Sequence, residues 1–179
     1  RNGLSCWSLC LKEEASIMRI GVLKEDQEIE KRVALTPQHV EKLTRMGAAV
    51  VAEAGLGECA RHSDEAYRNA GAQIVADRSE LLASCEMVLA IRKLPLSDVG
   101  RLASGSIIVS LLDPFNESET IAAFVERKVT AVSMEMIPRI TRAQKMDVLS
   151  SQANLAGYVA VIVAAERLDK LYPMMMTPA

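Results

Sequence analysis

Aromatic side chains are scarce in this chain: its 179 residues include two Phe, three Tyr and one Trp. The core must therefore come from the aliphatic residues that bring the hydrophobic share to 50%. Such a composition suits a buried parallel sheet, whose strands read as short continuous apolar runs. Histidine is rarer still, at two (His39 and His62), so a histidine-based metal centre is not expected. The four cysteines, Cys6, Cys10, Cys59 and Cys85, lack the C-x₂-C pairs of a zinc site and read as reduced thiols, in the core or on the surface. Charge of one sign is also missing. A formal net charge of −2 with both signs interspersed gives neither a nucleic-acid footprint nor a polybasic membrane patch. No uninterrupted apolar run reaches the roughly 18 residues that span a bilayer. The longest, 155–165, carries Tyr158 and stops at Glu166 and Arg167, and is expected to be a buried helix.

The two ends differ from the body. Residues 1–17 read as a non-native or disordered leader. The short apolar stretch 6–11 is followed by Lys12, Glu13 and Glu14, where a signal peptide would have small residues. A natural start is expected at Met18, where an opening strand begins. Residues 173–179 read as a truncated linker.

Between the ends, strand-length apolar runs recur at 19–23, 48–52, 72–75, 87–91, 106–111 and 129–134, separated by helix signals. Thr36 with Pro37 opens one helix and Gly47 closes it. Ser63 with Asp64 caps another, and Asp77-x-x-Glu80 and Asn116-x-x-Glu119 have capping-box spacing. This alternation predicts βαβ units in an open, mainly parallel flavodoxin/Rossmann-like α/β sheet with helices on both faces. The expected organisation is an α/β domain over 18–135, a polar loop over 136–150, and a long helix over 151–172 leading to a second, missing domain.

Several groups are candidates for chemistry. Gly55-Leu-Gly-Glu-Cys-Ala60 matches G-x-G-x-x-A, yet the next helix signal is Ser63-Asp64, too late for helix N–H groups to meet a pyrophosphate. A glycine loop is the better reading. Arg32, Lys93 and Asp113 follow three strands at the carboxyl edge, where open α/β sheets bind ligands. There Arg32 is either a carboxylate clamp or part of a solvated charge run. The segment 138–158 breaks the regular patterning with Arg139, Arg142, Gln144, Asp147, Ser150 and Tyr158. Each has a structural alternative: Gln144 closing a box with Thr141, Asp147 or Ser150 capping the next helix, Tyr158 in the core, the arginines as plain surface.

The strings PRITRAQKMD (Pro138 to Asp147) and SSQANLAGY (Ser150 to Tyr158) resemble the α subunit of proton-translocating NAD(P) transhydrogenase. RVALTP (Arg32 to Pro37) and YPMMMT (Tyr172 to Thr177) match the same family, and the resemblance runs from Met18 to the last residue. It implies a nucleotide-binding oxidoreductase and translocase in which hydride passes from NADH to NADP⁺, coupled to proton movement. NAD(H) would sit on this subunit, NADP(H) on a partner domain, and membrane subunits would carry the protons. By the resemblance Arg139, Gln144 and Asp147 are the catalytic loop, and with Ser150 and Tyr158 they face the nicotinamide. The family implies a homodimer on the cytoplasmic side, peripheral to the membrane through its partners. The glycine fingerprint would lie in the missing domain, so this chain alone is expected to be inactive. Alanine dehydrogenases share the Arg32 segment and are the alternative. They carry a catalytic His where this chain has Asp113, and a carboxylate there is a poor proton donor for pyruvate reduction. A non-catalytic binding domain is the third reading.

Overall fold

The computed structural model describes residues 17–170. The leader up to residue 16, with Cys6 and Cys10, and the Tyr172–Thr177 match lie outside the described residues. Six strands form one sheet: β1 (Arg19–Val22), β2 (Ala49–Glu53), β3 (Gln73–Val75), β4 (Met87–Leu89), β5 (Ile107–Ser110) and β6 (Thr130–Ser133). Every pairing is parallel, in the order β3-β2-β1-β4-β5-β6. Each strand lies at or within an apolar run picked out by the sequence, to within a residue. Most runs overshoot because their last residues belong to strand-end loops rather than to the ladder.

The chain winds outward from β1 in both directions, so β1 and β4 flank the point where the strand order reverses. The first half returns through α1 (Pro37–Arg45) and α2 (Asp64–Asn69), the second through α3 (Arg78–Ser84), α4 (Leu96–Val99) and α5 (Ser118–Glu126). Two cores result, one on each face. Val22, Val40, Val50, Ala52 and Tyr67 pack on the side of α1 and α2. Leu23, Leu81, Leu82, Val88, Leu102, Ile108 and Phe124 pack on the side of α3, α4 and α5. Two of the scarce aromatics, Tyr67 and Phe124, are buried in the two cores, and the Tyr67 hydroxyl donates to the Leu35 carbonyl at 2.8 Å.

Cover is uneven. In β4 and β5, Val88 and Ile108 are fully buried, while Met87, Leu89, Ile107 and Val109 on the opposite face are half-buried. Helices α1 and α2 cover only the β1–β3 half of their face.

The local signals mostly act as expected. Thr36 precedes Pro37 at the start of α1, although its hydroxyl pairs with His39 Nδ1 rather than with a helix N–H. Ser63 accepts from Ala66 N and Asp77 from Ser79 N. The Asn116 box does not form. Helix α5 starts at Ser118 behind Glu117, because the Asn116 amide is drawn back onto the Asp113 carboxylate at 2.9 and 3.0 Å.

The Gly55–Ala60 segment is a loop, as its context predicts. It leads into a 3₁₀ turn (Glu58–Ala60), and α2 begins four residues later, at Asp64. A Cβ on Gly57 would lie 2.5 Å from the His62 carbonyl oxygen and 2.7 Å from Tyr67, so this glycine serves close packing. Gly57→Ala is expected to lower unfolding free energy in urea by about 1–3 kcal/mol through overpacking. Exposed Cys59→Ser should change it by less than about 0.5 kcal/mol.

Candidate functional site

The carboxyl ends of parallel strands leave backbone N–H groups without ladder partners, and a ligand anion commonly takes them. Here glutamates take them. Glu53, the last residue of β2, accepts from Lys24 N at 2.8 Å beyond β1. Glu25, beyond β1, accepts from Ile91 N and Arg92 N beyond β4, at the point where the strand order reverses. Glu135, beyond β6, accepts from Leu112 N and Asp113 N beyond β5. Glu53 is further tied to Arg78, whose guanidinium also reaches Asp98 at 2.7 Å and the Lys24 carbonyl at 2.9 Å.

Beside these ends lies a cleft of about 560 Å³, lined mainly by Val33, Ala34, Leu89, Val109, Leu111 and Met134. Of the three charged residues expected at this edge, Arg32 lines the cleft; Lys93 and Asp113 do not. The structure does not assemble them into one site. Arg32 is held by both oxygens of Glu30, at 2.8 and 2.6 Å, and donates to Gln152 at 2.9 Å. Lys93 pairs with Glu117. Asp113 adopts φ 51° and accepts from Asn116. Among the described residues no group of three or more His, Cys, Asp or Glu side chains is placed to hold a metal ion.

The polar loop comes next. A 3₁₀ turn at Met134–Met136 ends the sheet region, a second at Thr141–Ala143 buries Ala143, and α6 (Val148–Arg167) follows. The side chain of Gln144 makes no box with Thr141; the Gln144 backbone N–H donates to the Thr141 carbonyl at 3.5 Å. Asp147, not Ser150, caps α6, accepting from Ser150 N at 2.8 Å. The helix therefore begins three residues before the expected 151, and the Ser151 hydroxyl donates back to the Asp147 carbonyl. Hydrogen bonds from Ser150, reinforced by the charge of Arg139, hold the Asp147 carboxyl below its ordinary range.

Arg139, Gln144, Asp147 and Ser150 thus gather at the start of α6, each exposed or half-buried. Tyr158 lies about 16 Å farther along the helix axis than Asp147, and is 68% exposed. It does not pack in the core. The expectation of a buried helix over 155–165 is corrected as well: no residue of α6 is buried. Leu155, Val159, Val161 and Ile162 are all more than half exposed. From Leu155 to Ala165 the helix is apolar all round, and a buried helix has that composition; among the described residues Leu155 to Ile162 are all exposed. With 20 residues and mean hydropathy 1.5, α6 also has the length and composition of a membrane span, a test that the core helix of a larger protein passes equally.

Sequence reasoning placed Glu25 at the end of β1 without its partner amides, and it gave no role to Glu135, Glu30, Glu53 or Gln152, which also organise this edge. A usable signal was present for Glu25 and Glu135, since a glutamate shortly after a strand stands beside the neighbouring strand's free amides.

The family model for the alanine dehydrogenase/PNT N-terminal domain matches residues 21–156, from β1 through the first turns of α6. The chain belongs to this family. This alanine dehydrogenase/PNT N-terminal domain is 38% identical over 162 residues to NAD(P) transhydrogenase subunit alpha of Cereibacter sphaeroides, covering 90% of the chain and 31% of the relative. It is 30% identical over 153 residues to alanine dehydrogenase of Methanococcus maripaludis, covering 86% and 40%. The crystal structure of transhydrogenase from Sinorhizobium meliloti superposes with TM-score 0.81 at 41% identity, covering 89% of the chain and 48% of that structure. The chain spans less than half the length of these relatives.

Glu135 yields a pH-dependent prediction. Burial pushes its carboxyl up, but hydrogen bonds led by the Asp113 amide together outweigh burial and hold it below its ordinary 4.5. A depressed folded value means stabilisation present above 4.5 and lost as pH falls through the folded value. Glu135→Ala, which strands two amides, should lower stability at pH 7 by about 1–3 kcal/mol. In urea titrations the gap to the parent protein should close on acidification below 4.5, and narrow much less for Glu135→Gln, which keeps an acceptor.

Proposed function

We propose that this chain is the N-terminal part of the NAD(H)-binding α subunit of NAD(P) transhydrogenase. In this reading the assembled protein transfers hydride from NADH to NADP⁺ held by a partner domain, and membrane subunits couple the transfer to proton movement. The soluble part would be a homodimer, peripheral to the cytoplasmic face of the membrane through those partners.

The observation that carries this choice over alanine dehydrogenase is the chemistry of the strand-end cleft. Its charged lining residue among the described ones, Arg32, is already neutralised by Glu30. Lys93 is paired with Glu117, and Asp113 stands where a proton-donating His belongs in alanine dehydrogenases. The cleft is apolar, and among the described residues it offers no free cation for a small carboxylate substrate. Higher identity to transhydrogenase than to alanine dehydrogenase relatives supports the same reading.

The loop has the donor set that a nicotinamide carboxamide needs. Gln144 supplies a donor and an acceptor, Arg139 and the Ser150 hydroxyl supply donors, and Asp147 is an ionised acceptor. Among the described residues the side chains of Arg139 and Gln144 form no hydrogen bond with one another or with the rest of the domain. A bound dihydronicotinamide would supply the hydride, and these side chains would hold and orient its ring. Tyr158, farther along α6, would flank the cofactor rather than share the carboxamide. The dinucleotide's pyrophosphate has no place at these strand ends, because Glu25, Glu53 and Glu135 occupy the amides. We propose that it is held by the second domain to which α6 leads, so that the 18–135 domain and the 136–150 loop act only within the longer polypeptide.

In the full-length protein, Gln144→Ala and Asp147→Asn should slow hydride transfer by about 10- to 100-fold through misalignment. NADH affinity measured by calorimetry should change by less than about threefold, since Asn still caps the helix. Equal losses in rate and affinity would refute the orienting role, and alanine-dependent NAD⁺ reduction would establish the alternative.

A further inference from the structure

We infer that Arg32 is a positioning residue, which sets the start of α6 and the adjoining 139–147 loop through Gln152 rather than by touching a ligand. Its functional half rests on the reading of that loop as the nicotinamide site. The geometry is that of a strap. Glu30, its side chain only 10% exposed, takes Nε and Nη2 of Arg32 at 2.8 and 2.6 Å and the Arg32 backbone N–H at 3.0 Å. A bidentate carboxylate fixes the plane of a guanidinium, and the remaining nitrogen, Nη1, then points at Gln152 Oε1 at 2.9 Å. This bond joins the loop after β1 to a helix 120 residues later in the chain.

The helix needs such a tie. Its first turn is half-buried at Val148 and Leu149, and the residues from Ser150 to Ile162 that follow are all exposed. Gln152 stands one turn beyond Val148, and both line the cleft with Arg32. Holding Gln152 therefore holds the turn that the Asp147 carboxylate caps, and with it the spacing of Arg139, Gln144 and Asp147. Lysine in place of Arg32 keeps the charge but lacks the fork that grips Glu30 and Gln152 together.

The test uses the full-length protein with its nucleotide partner, and three variants: Gln152→Ala, a surface change that leaves the core intact, Arg32→Lys, and the two combined. Limited trypsin digestion at the exposed Arg139, Arg142 and Lys145 reports the loop without any nucleotide. Each single variant should speed cleavage there by about 3- to 10-fold, and the double variant should be no faster than the faster single, because both remove one link. Hydride-transfer kcat should fall by about 5- to 20-fold with KM for NADH within about twofold, the signature of lost alignment rather than lost binding. Gln152→Glu, which can still accept from Arg32, should restore both readouts. Unchanged cleavage in Gln152→Ala, or multiplying effects in the double variant, would overturn the strap. Faster cleavage with undiminished hydride transfer would keep the strap and remove the nicotinamide role of the loop.

Discussion

A glutamate reaching sideways from the end of one strand to the bare amides of the next is the interaction on which this edge of the molecule depends. A parallel sheet ends in N–H groups that no strand satisfies, and a buried amide left unpaired costs roughly 1–3 kcal/mol. Glu53, Glu25 and Glu135 meet that demand at β1, β4 and β5 in turn. Each also fixes where its own loop leaves the sheet. Arg78 extends the arrangement, tying Glu53 to Asp98 on α4 and to the Lys24 carbonyl. Both sides of the strand-order reversal are thereby held by charge-assisted contacts in addition to apolar packing.

This has a direct consequence for ligands. In dinucleotide-binding sheets the amides near the strand ends attract phosphate; here each is already facing a carboxylate, and a second anion would meet repulsion in place of donors. The nearby cleft is apolar and its arginine is spoken for by Glu30. The side chains of Arg139 and Gln144, exposed and without a hydrogen bond among the described residues, lie one step farther out, on the loop before α6. Fold and site are thus displaced from one another. In the proposed function the sheet is a platform, and the loop at its border carries the recognition chemistry.

Much of the architecture was legible in the residues. The six strands appear as apolar runs, Ser63 and Asp77 cap the helices they precede, and the lateness of the Ser63 signal correctly demotes the Gly55–Ala60 motif to a loop. The failures have identifiable causes. Asn116 has the spacing of a cap, but Asp113, in the left-handed region at φ 51°, captures its amide first. Tyr158 and its apolar neighbours have the composition of a core helix, yet among the described residues no surface meets them.

Periodicity and caps are encoded within a few residues, because hydrogen bonds to the nearest N–H and burial of one stripe or one face are local matters. The alternation of strands and helices, the α/β class and the polar loop before α6 could therefore be read from the chain before any coordinates. Pairing between distant charges is not local. That Glu30 would neutralise Arg32, that Arg32 would reach Gln152 across 120 residues, and that three glutamates would fill the strand-end amides follow only once strand order and register bring these groups within hydrogen-bonding distance. Folding settled which charges remain available for a ligand, and the sequence, which gives the charges without their neighbours, had no means of saying so.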